Sequence, residues 1–332
     1  MPEFMRAAVM DAHGAPLRIG TAPRPTAGPG QVLLRIAAAG LNPLDLKVME
    51  GAAAHARHPA PNIVGMDAAG VVEAVGQGVD RFHEGDQVYG MIGGVGGHQG
   101  ALAAFAAVDA DLLAPKPANL GLREAAALPL AFITAWEGLV DRAGIARGQH
   151  VLVHGGAGGV GHIVVQLAKA SGAEVFATGS SGRRDDIERS GASFIDRSEA
   201  VDDYVRRCTG SQGFELIYDT VGGGALDASF QAVRRFGHVV SALGWGTHAL
   251  APLSFKSATY SGVFTLLPLL TGEGRAHHGF ILREAAKLVE AGLVTPQVDH
   301  RRFTLETVSD AYRALQDGSA RGKLVVDIAA SD

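Results

Sequence analysis

The chain has 332 residues, 47% of them hydrophobic, and a formal net charge of −5 from 29 Lys and Arg against 34 Asp and Glu. That length fits two domains with sizeable cores. Its interspersed charges offer no basic stripe for nucleic acid, and no apolar run reaches membrane-spanning length, since Phe264-Thr-Leu-Leu-Pro-Leu-Leu270 is short and holds a proline.

Met1-Pro-Glu-Phe4, ahead of Met5, reads as an added scar and is set aside. No signal-type apolar stretch follows it. The single cysteine, Cys208, forbids an intrachain disulfide, so a cytoplasmic protein is expected, with neither membrane nor nucleic acid as partner. Residues 5–124 are turn-rich, with short strand signals at Gln31–Ile36, Gly70–Val75, Asp86–Gly90 and Ala101–Phe105. This spacing predicts a small, largely antiparallel β domain. From Leu122 the texture turns helical, over Arg123–Leu128 and Thr134–Val140. Strands at Val151–Val153, Glu174–Thr178, Ser193–Ile195, Phe214–Asp219 and His238–Ser241 then alternate with helices starting near 159, 183, 198 and 224. Alternation of this kind predicts a doubly wound parallel sheet. Past about 268 the pattern stops. Ile281–Leu293 reads as a helix, and a strand–helix–strand tail ends in Lys323–Ile328. The predicted architecture is α/β, a β domain from 1–124 and 268–332 interrupted by a doubly wound domain at 125–267. Such an insertion puts a cleft between the two, where a cofactor would meet a small substrate.

The strongest local signal is Val151-Leu-Val-His-Gly-Gly-Ala-Gly-Gly-Val-Gly161. A short apolar strand runs into Gly156, Gly158 and Gly161 in G-x-G-x-x-G spacing. Val160, Ile163, Val164 and Leu167 then recur on one helix face. Strand, glycine turn and helix start make a dinucleotide-binding corner. The first glycine permits the turn, the second lets backbone approach a pyrophosphate, and the third lets helix and strand pack closely. The loop through Ala157, Gly159 and Val160 then offers helix N-terminal N–H groups to the phosphates.

The next strand decides which dinucleotide is expected. An NAD site places Asp or Glu about 20 residues past the glycines, to take the ribose 2′-hydroxyl. Here Ser180 stands there, followed by Ser181, Gly182, Arg183 and Arg184. Hydroxyls and guanidiniums suit a 2′-phosphate, so NADPH is expected. Arg197 is a further candidate for the same phosphate. The alternative is that Arg183 and Arg184 open a solvated helix, paired with Asp185, Asp186 or Glu188.

Across nearly its whole length, the chain resembles the medium-chain dehydrogenase/reductase superfamily, and within it the zinc-independent quinone oxidoreductases related to zeta-crystallin. The motifs that carry the likeness are Gly40-Leu-Asn-Pro-Leu-Asp-Leu-Lys47, Gly65-Met-Asp-Ala-Ala-Gly-Val-Val72, Val75-Gly-Gln-Gly-Val79, Gly85-Asp-Gln-Val88 and Ala114-Pro-Lys-Pro117. They continue with Ala125-Ala-Ala-Leu-Pro-Leu130, Thr134-Ala-Trp136, the glycine corner, Asp219-Thr-Val-Gly-Gly223, Gly237-His-Val-Val-Ser241 and Gly322-Lys323. The resemblance implies a GroES-like β domain with a Rossmann insertion, NADPH as cofactor, and reduction of quinones or activated C=C bonds. It also implies a homodimer through edge strands of the Rossmann sheets, here Thr259–Leu267.

Aligned on those motifs, the catalytic zinc ligands of the zinc-dependent relatives fall on Asn42, Met66 and near Leu130, none of them a zinc ligand. A four-thiolate structural zinc is ruled out by the single cysteine. No metal is therefore expected. Without one, an oxyanion forming on the substrate needs hydrogen-bond donors. The resemblance puts Asn42, Lys47 and Thr134 forward, with Asp45 as an orienting residue. Each has a plainer reading: Asn42-Pro43 as a turn pair, Lys47 as a solvated charge, and Thr134 as a helix cap. Some quinone reductases carry a tyrosine shortly after the Asn motif. This chain reads Lys47-Val-Met-Glu-Gly51, closer to enone and alkenal reductases, which weighs against a quinone acceptor. Lys323 is expected to face the cofactor from the C-terminal segment. Val221 and Gly244, at strand C-terminal ends, are expected beside it.

The function expected is metal-free, NADPH-dependent reduction of a small quinone or enone. The alternatives are a zinc-free alcohol dehydrogenase or enoyl reductase, and a protein that binds NADPH without turnover.

Overall fold

The computed structural model describes residues 3–328. The chain divides into two compact units. Unit 1 comprises Met1–Leu130, Leu266–Ala291 and Pro296–Asp332, and unit 2 comprises Ala131–Thr265 and Gly292–Thr295. No helix among the described residues is long and apolar enough to cross a membrane.

Unit 1 is built on a seven-stranded sheet. Its path runs Phe303–Thr304, Val325–Asp327, Gln31–Gly40, Asp67–Val75, Gln87–Met91 and Leu113–Pro115, with Phe105–Asp109 also pairing Gln31–Gly40. The long Gln31–Gly40 strand meets Asp67–Val75 antiparallel, with register shifts at Leu33/Leu34 and Ile36/Ala38. Such shifts break strict alternation and bend a strand. Val32, Leu33 and Leu34 are accordingly all buried in succession. At the far end a Cβ on Gly40 would lie 2.2 Å from the Ala126 carbonyl, so only glycine lets the Leu122–Ala126 helix approach.

A second, three-stranded sheet pairs Phe4–Met10 with Arg18–Pro23 and Asn62–Ile63. Phe4, set aside on the sequence reading, opens the first of these strands opposite Pro23. Met1 and Pro2 lie outside the described residues. The strand expected at Ala101–Phe105 instead begins at Phe105 and runs to Asp109. Ala101 and Leu102 donate to the Gly65 and Val64 carbonyls, and Ala103 makes only a lone bridge to Ala7.

Unit 2 carries a six-stranded sheet in the order Ser193–Asp196, Glu174–Gly179, His150–His154, Phe214–Asp219, Val233–Ser241, Thr259–Gly262. Every pair is parallel. Parallel strands need helical crossovers that bury both faces, which is why these strands read as apolar runs. Helices Gly161–Ala170, Arg184–Arg189, Val201–Thr209 and Gly224–Ala232 supply crossovers. The core gathers Leu152, Phe176, Ile195, Phe214, Ile217, Phe230 and Val239. The helix expected over Thr134–Val140 ends as an α-helix at Trp136 and continues as a π-helix over Glu137–Arg142. Tyr218 is the physical reason. Its hydroxyl donates to the Thr134 carbonyl at 2.6 Å, and its ring fills the space where a Cβ on Gly138 would sit. A side chain inserted into the i→i−4 ladder widens the turn.

Candidate functional site

The glycine corner of unit 2 has the form its spacing predicts. The His150–His154 strand ends in Gly155, at φ 77, and the helix begins at Gly161. A Cβ on Gly156 would meet the Ala177 Cβ at 2.5 Å, and one on Gly161 would meet the Gly155 carbonyl oxygen at 2.1 Å. Neither position admits a side chain. A Cβ on Gly158 would lie 3.2 Å from the same oxygen, and Gly158 itself is exposed. The loop through Ala157, Gly159 and Val160 thus presents bare backbone at a helix N-terminus, which fits a pyrophosphate. Ile163, Val164 and Leu167 are buried against the sheet, as the helix face predicts.

The neighbouring strand, Glu174–Gly179, is followed by Ser180 and an exposed Ser181. Two of the three expected arginines are already engaged. Arg183 pairs with Asp186 at 3.0 Å and donates to the Ala157 carbonyl at 3.0 Å, which ties it to the glycine loop. Arg184 pairs with Glu188 at 3.3 Å and stacks 4.3 Å over the Phe194 ring. Arg197 is exposed, and among the described residues its side chain has no hydrogen-bond or ion-pair partner. The adjacent Asp196 carboxylate accepts from the Ser198 backbone N–H and hydroxyl.

Two residues that sequence reasoning passed over organise the same strand ends. Asp219 is fully buried and accepts from the Val221 and Gly222 N–H groups at 3.0 Å and from the Ser241 hydroxyl at 2.7 Å. It thereby holds the Asp219–Gly223 turn, in which Gly222 and Gly223 both have positive φ. An Asp two and three residues ahead of its backbone donors is an Asx-turn signal. Val221 stands 54% exposed on this turn. Gly244 is exposed, and a Cβ there would strike the Tyr260 hydroxyl at 2.1 Å. His154 is the second such residue. Its Nδ1 shares a 3.0 Å bond with the Thr178 hydroxyl, whose oxygen also lies 3.4 Å from the Gly155 N–H. Its Nε2 is buried without a partner. Burial pushes its pKa down to about 4, against the pull of Asp219, so the ring is neutral.

Thr134 is buried, and its hydroxyl lies 3.1 Å from that of Thr265. Thr265 donates to Glu137 at 3.2 Å, which joins the two hydroxyls to a carboxylate.

In unit 1 the structure gathers Asn42, Asp45, Asp67 and Lys323. Asn42 ends the Gln31–Leu41 stretch and precedes the Pro43–Met49 helix, whose Asp45 reaches back to accept the Asn42 backbone N–H at 2.8 Å. That reciprocal bond is how Asp45 orients Asn42. The Asn42 amide donates to Asp67 at 2.9 Å and its oxygen accepts from the Lys323 ammonium. Lys323, expected to face the cofactor, is only 6% exposed and spends its charge inside unit 1, on the Leu41 carbonyl at 3.0 Å, on Asn42 and on Asp67 at 3.5 Å. Asp67 also accepts the Leu130 backbone N–H at 2.8 Å. Burial pushes Asp45 up to about 7, with the Asp67 charge adding to the effect. Burial raises Asp67 too, but its donors include an ammonium, while Asp45 Oδ1 has none. Lys47, on the same helix as Asp45, is exposed and stands apart from the cluster.

The positions aligned with zinc ligands hold an amide, a thioether and an alkyl chain. The Asn42 amide is committed as described, Met66 is fully buried, and Leu130 has an alkyl side chain and donates its backbone N–H to Asp67. This donor set does not fit a zinc ion, which takes thiolate, imidazole or carboxylate. Among the described residues no group of three or more His, Cys, Asp or Glu side chains is placed to hold a metal.

Comparison with known proteins bears on the family and the fold. A family model described as an alcohol dehydrogenase GroES-like domain matches residues 28–118, and one described as a zinc-binding dehydrogenase matches residues 190–326. The chain is 37% identical over 310 residues to the 2-methylene-furan-3-one reductase of Solanum lycopersicum, covering 89% of this chain and 71% of that one. It is 35% identical over 305 residues to the chloroplastic NADPH-dependent alkenal/one oxidoreductase of Arabidopsis thaliana, covering 89% and 72%. Among solved structures, an alcohol dehydrogenase superfamily protein from Novosphingobium aromaticivorans superposes with a TM-score of 0.96 at 54% identity, over 98% of this chain and 100% of that one.

Proposed function

The chain belongs to the medium-chain dehydrogenase/reductase superfamily, and from that premise we propose that it reduces the C=C bond of small α,β-unsaturated carbonyl compounds with NADPH, without a metal. Two relatives point to this acceptor class, one named for a methylene-furanone and one for alkenals and alkenones. NADPH would supply the hydride for the β-carbon, and a proton from water would complete the saturated product.

The observation that carries the reading is the glycine cradle of unit 2, which closes beside a strand end that has Ser180 where an NAD site has an acid. Gly156, Ala157, Gly158, Gly159, Val160 and Gly161 hold the pyrophosphate. Ser180, Ser181 and Arg197 take the 2′-phosphate, Arg197 first because its guanidinium is uncommitted. Arg183 and Arg184 brace the strand end through Asp186 and Glu188. Val221 and Gly244 border the cofactor on the turns that follow their strands, and Thr134 lends its hydroxyl to the site.

In unit 1 Asn42 retains one amide hydrogen after its bond to Asp67, and this is the donor for charge developing on the substrate oxygen. Lys323 and Asp67 fix the orientation of that amide, while the exposed Lys47 adds positive potential at the surface. The Asn42, Met66, Leu130 donor set is why the reaction is assigned without zinc. The Thr259–Gly262 strand leaves one side of its sheet unpaired and exposes Tyr260, and a second copy is placed against it as a homodimer.

The test is NADPH oxidation with methyl vinyl ketone, trans-hexenal and benzoquinone as acceptors, each with and without EDTA and with NADH in parallel. Enone and enal turnover above that of the quinone, preference for NADPH, and indifference to EDTA are expected. Cofactor binding with no acceptor turned over would leave a non-catalytic NADPH-binding protein. Loss of activity with EDTA would overturn the metal-free assignment.

A further inference from the structure

Two turns of unit 2 stand at the strand ends assigned to the cofactor. One follows the Phe214–Asp219 strand and carries Val221, and the other follows the Val233–Ser241 strand and carries Gly244. They touch each other. A Cβ on Gly222 would lie 2.6 Å from the Leu243 carbonyl oxygen, and the Leu243 N–H donates to the Ser241 hydroxyl at 3.1 Å. The second turn then runs on through exposed Trp245, Gly246 and Thr247 to His248. Gly246 has a φ of 108, a backbone that L side chains seldom adopt. An exposed turn of this kind keeps one shape only where other groups hold it.

His248 is such a group. Its side chain is 11% exposed, although the turn around it is open to solvent. Its Nδ1 lies 2.8 Å from Asp227, in the first turn of the Gly224–Ala232 helix, and its Nε2 lies 3.3 Å from the Trp245 carbonyl oxygen. A carboxylate and a carbonyl both only accept. A neutral imidazole has one N–H and satisfies one of them, whereas the imidazolium has two and satisfies both. The geometry therefore selects the charged ring. The Phe230 ring, from the same helix, meets it edge to face at 6.2 Å.

The charged groups that face His248 are Asp227 and, from its strand end, Asp219. Both favour the imidazolium, the Asp227 bond most, and hold its pKa above the ordinary histidine value. The helix that carries Asp227 begins at Gly224, where the Val221 turn ends. His248 thus ties the turn holding Gly244 to the helix that continues the turn holding Val221.

We propose that His248, as an imidazolium, is a positioning residue for NADPH, strapping the turn of Gly244 and Trp245 to the Gly224–Ala232 helix so that the two turns keep one arrangement. The inference rests on the reading of those turns as the border of the cofactor. Loss of the ring proton removes one of the two bonds. The strapped arrangement is then less populated, and apparent affinity falls with it. Because the folded pKa is raised, the strap is intact below the ordinary value of about 6.5 and is lost as pH rises through the folded one.

The experiment is fluorescence titration of the full chain with NADPH at about pH 6 and about pH 8.5, using the parent, His248→Gln and His248→Arg. Beside it, ¹⁵N-histidine NMR follows the ring in the free parent and in Asp227→Asn, and circular dichroism checks that each variant folds. The cofactor phosphate titrates alike with every variant, so the differences between variants carry the result. From the lower to the higher pH, the parent dissociation constant is expected to rise about two- to fivefold more than that of His248→Gln, the range of a partly exposed ion pair. His248→Arg, charged at both pH values, is expected to bind more tightly than His248→Gln at the higher one. The ring signal missing from His248→Gln identifies His248. It is expected to carry a proton on each nitrogen at the lower pH and to titrate at lower pH in Asp227→Asn. Equal pH dependence in the parent and His248→Gln overturns the proposal, and so does a ring titration that Asp227→Asn leaves unmoved. NADPH that binds the parent at neither pH overturns the cofactor reading and the positioning role with it, while the ring titration still reports whether the strap forms.

Discussion

Lys323 and Asn42, 281 positions apart in sequence, meet inside unit 1, where the Lys323 ammonium donates to the Asn42 side-chain oxygen. The same ammonium lies 3.5 Å from Asp67, and Asn42 donates to that carboxylate, so amide, acid and ammonium close a triangle with 2%, 0% and 6% exposure. Segments far apart in sequence, around Asn42, Asp67, Leu130 and Lys323, are thus joined by an ion pair and its hydrogen bonds.

Removing one partner of such a pair leaves a charge that burial penalises. Lys323→Met is expected to destabilise unit 1 by about 3–5 kcal/mol at pH 8, read by urea denaturation. The loss should shrink toward pH 5, because Asp67 escapes by taking a proton. Asp67→Asn in the Lys323→Met background should recover much of it, since a neutral amide needs no counter-ion. Equal losses at both pH values would mean that packing, not charge, holds the cluster.

Asp45 and His154 give the protein two opposed pH dependences. Asp45 has a folded pKa near 7, raised above the unfolded value of about 3.9. Between those values the folded state holds a proton that the unfolded state lacks, so this stability is present at low pH and is lost as pH rises to 7. His154 has a folded pKa near 4, below the unfolded value of about 6.5. There the unfolded state holds the extra proton, so stability is lost as pH falls. Each slope is about 1.4 kcal/mol per pH unit, and over roughly pH 4.5–6.5 they oppose each other. Relative to the parent, Asp45→Asn should gain stability with rising pH across that window, and His154→Gln should lose it. Thermal unfolding of the three proteins at several pH values checks both signs. A common slope would show that neither group titrates as its burial demands.

What the sequence made legible divides by the range of the interaction. The glycine corner and the strands from Val151 to Ser241 follow from local chemistry, a period of apolar residues and a spacing of glycines, and they stand where expected. The bond from the Asn42 N–H to Asp45 is equally local, three positions apart, but the expectation that Asp45 orients Asn42 came from the resemblance and not from that spacing. The partners of Lys323 were not legible, since Asn42 and Asp67 lie 281 and 256 positions away. The switch to a π-helix after Trp136 depends on Tyr218, 84 positions beyond Thr134. Nor does sequence tell a free arginine from a paired one, as at Arg197 and Arg184, because that depends on which rotamers Glu188 and Phe194 offer.

The three glycines of the cradle should differ in the cost of a methyl group. Gly161→Ala forces a Cβ to 2.1 Å from a backbone oxygen, and Gly156→Ala forces one to 2.5 Å from the Ala177 Cβ. Both should lose measurable NADPH binding and lower the melting temperature, with overpacking costs of about 1–3 kcal/mol. Gly158→Ala, at 3.2 Å, should be milder for stability and should act mainly on affinity. Gly182→Ala, with nothing within 4 Å of the new atom, is the control. Fluorescence titration with NADPH and calorimetric melting measure the series. An order with Gly158→Ala as the least stable would contradict the packing argument.

Cofactor choice should turn on Arg197 rather than on the arginines nearer the strand end. A hydrogen bond to a charged group contributes about 1.5–3 kcal/mol, so Arg197→Ala should weaken NADPH by roughly ten- to a hundredfold and leave NADH unchanged. Arg184 is held by Glu188 and by the Phe194 ring, and Arg183 by Asp186 and the Ala157 carbonyl. Moving either onto a phosphate would break bonds already made, so Arg184→Ala should cost less affinity. Arg183→Ala should weaken NADPH and NADH alike, because what it loses is a brace on the glycine loop that both cofactors use. Dissociation constants for the two cofactors across the three variants separate these roles. A selective loss of NADPH in Arg184→Ala larger than in Arg197→Ala would mean that the Glu188 pair opens when the phosphate arrives.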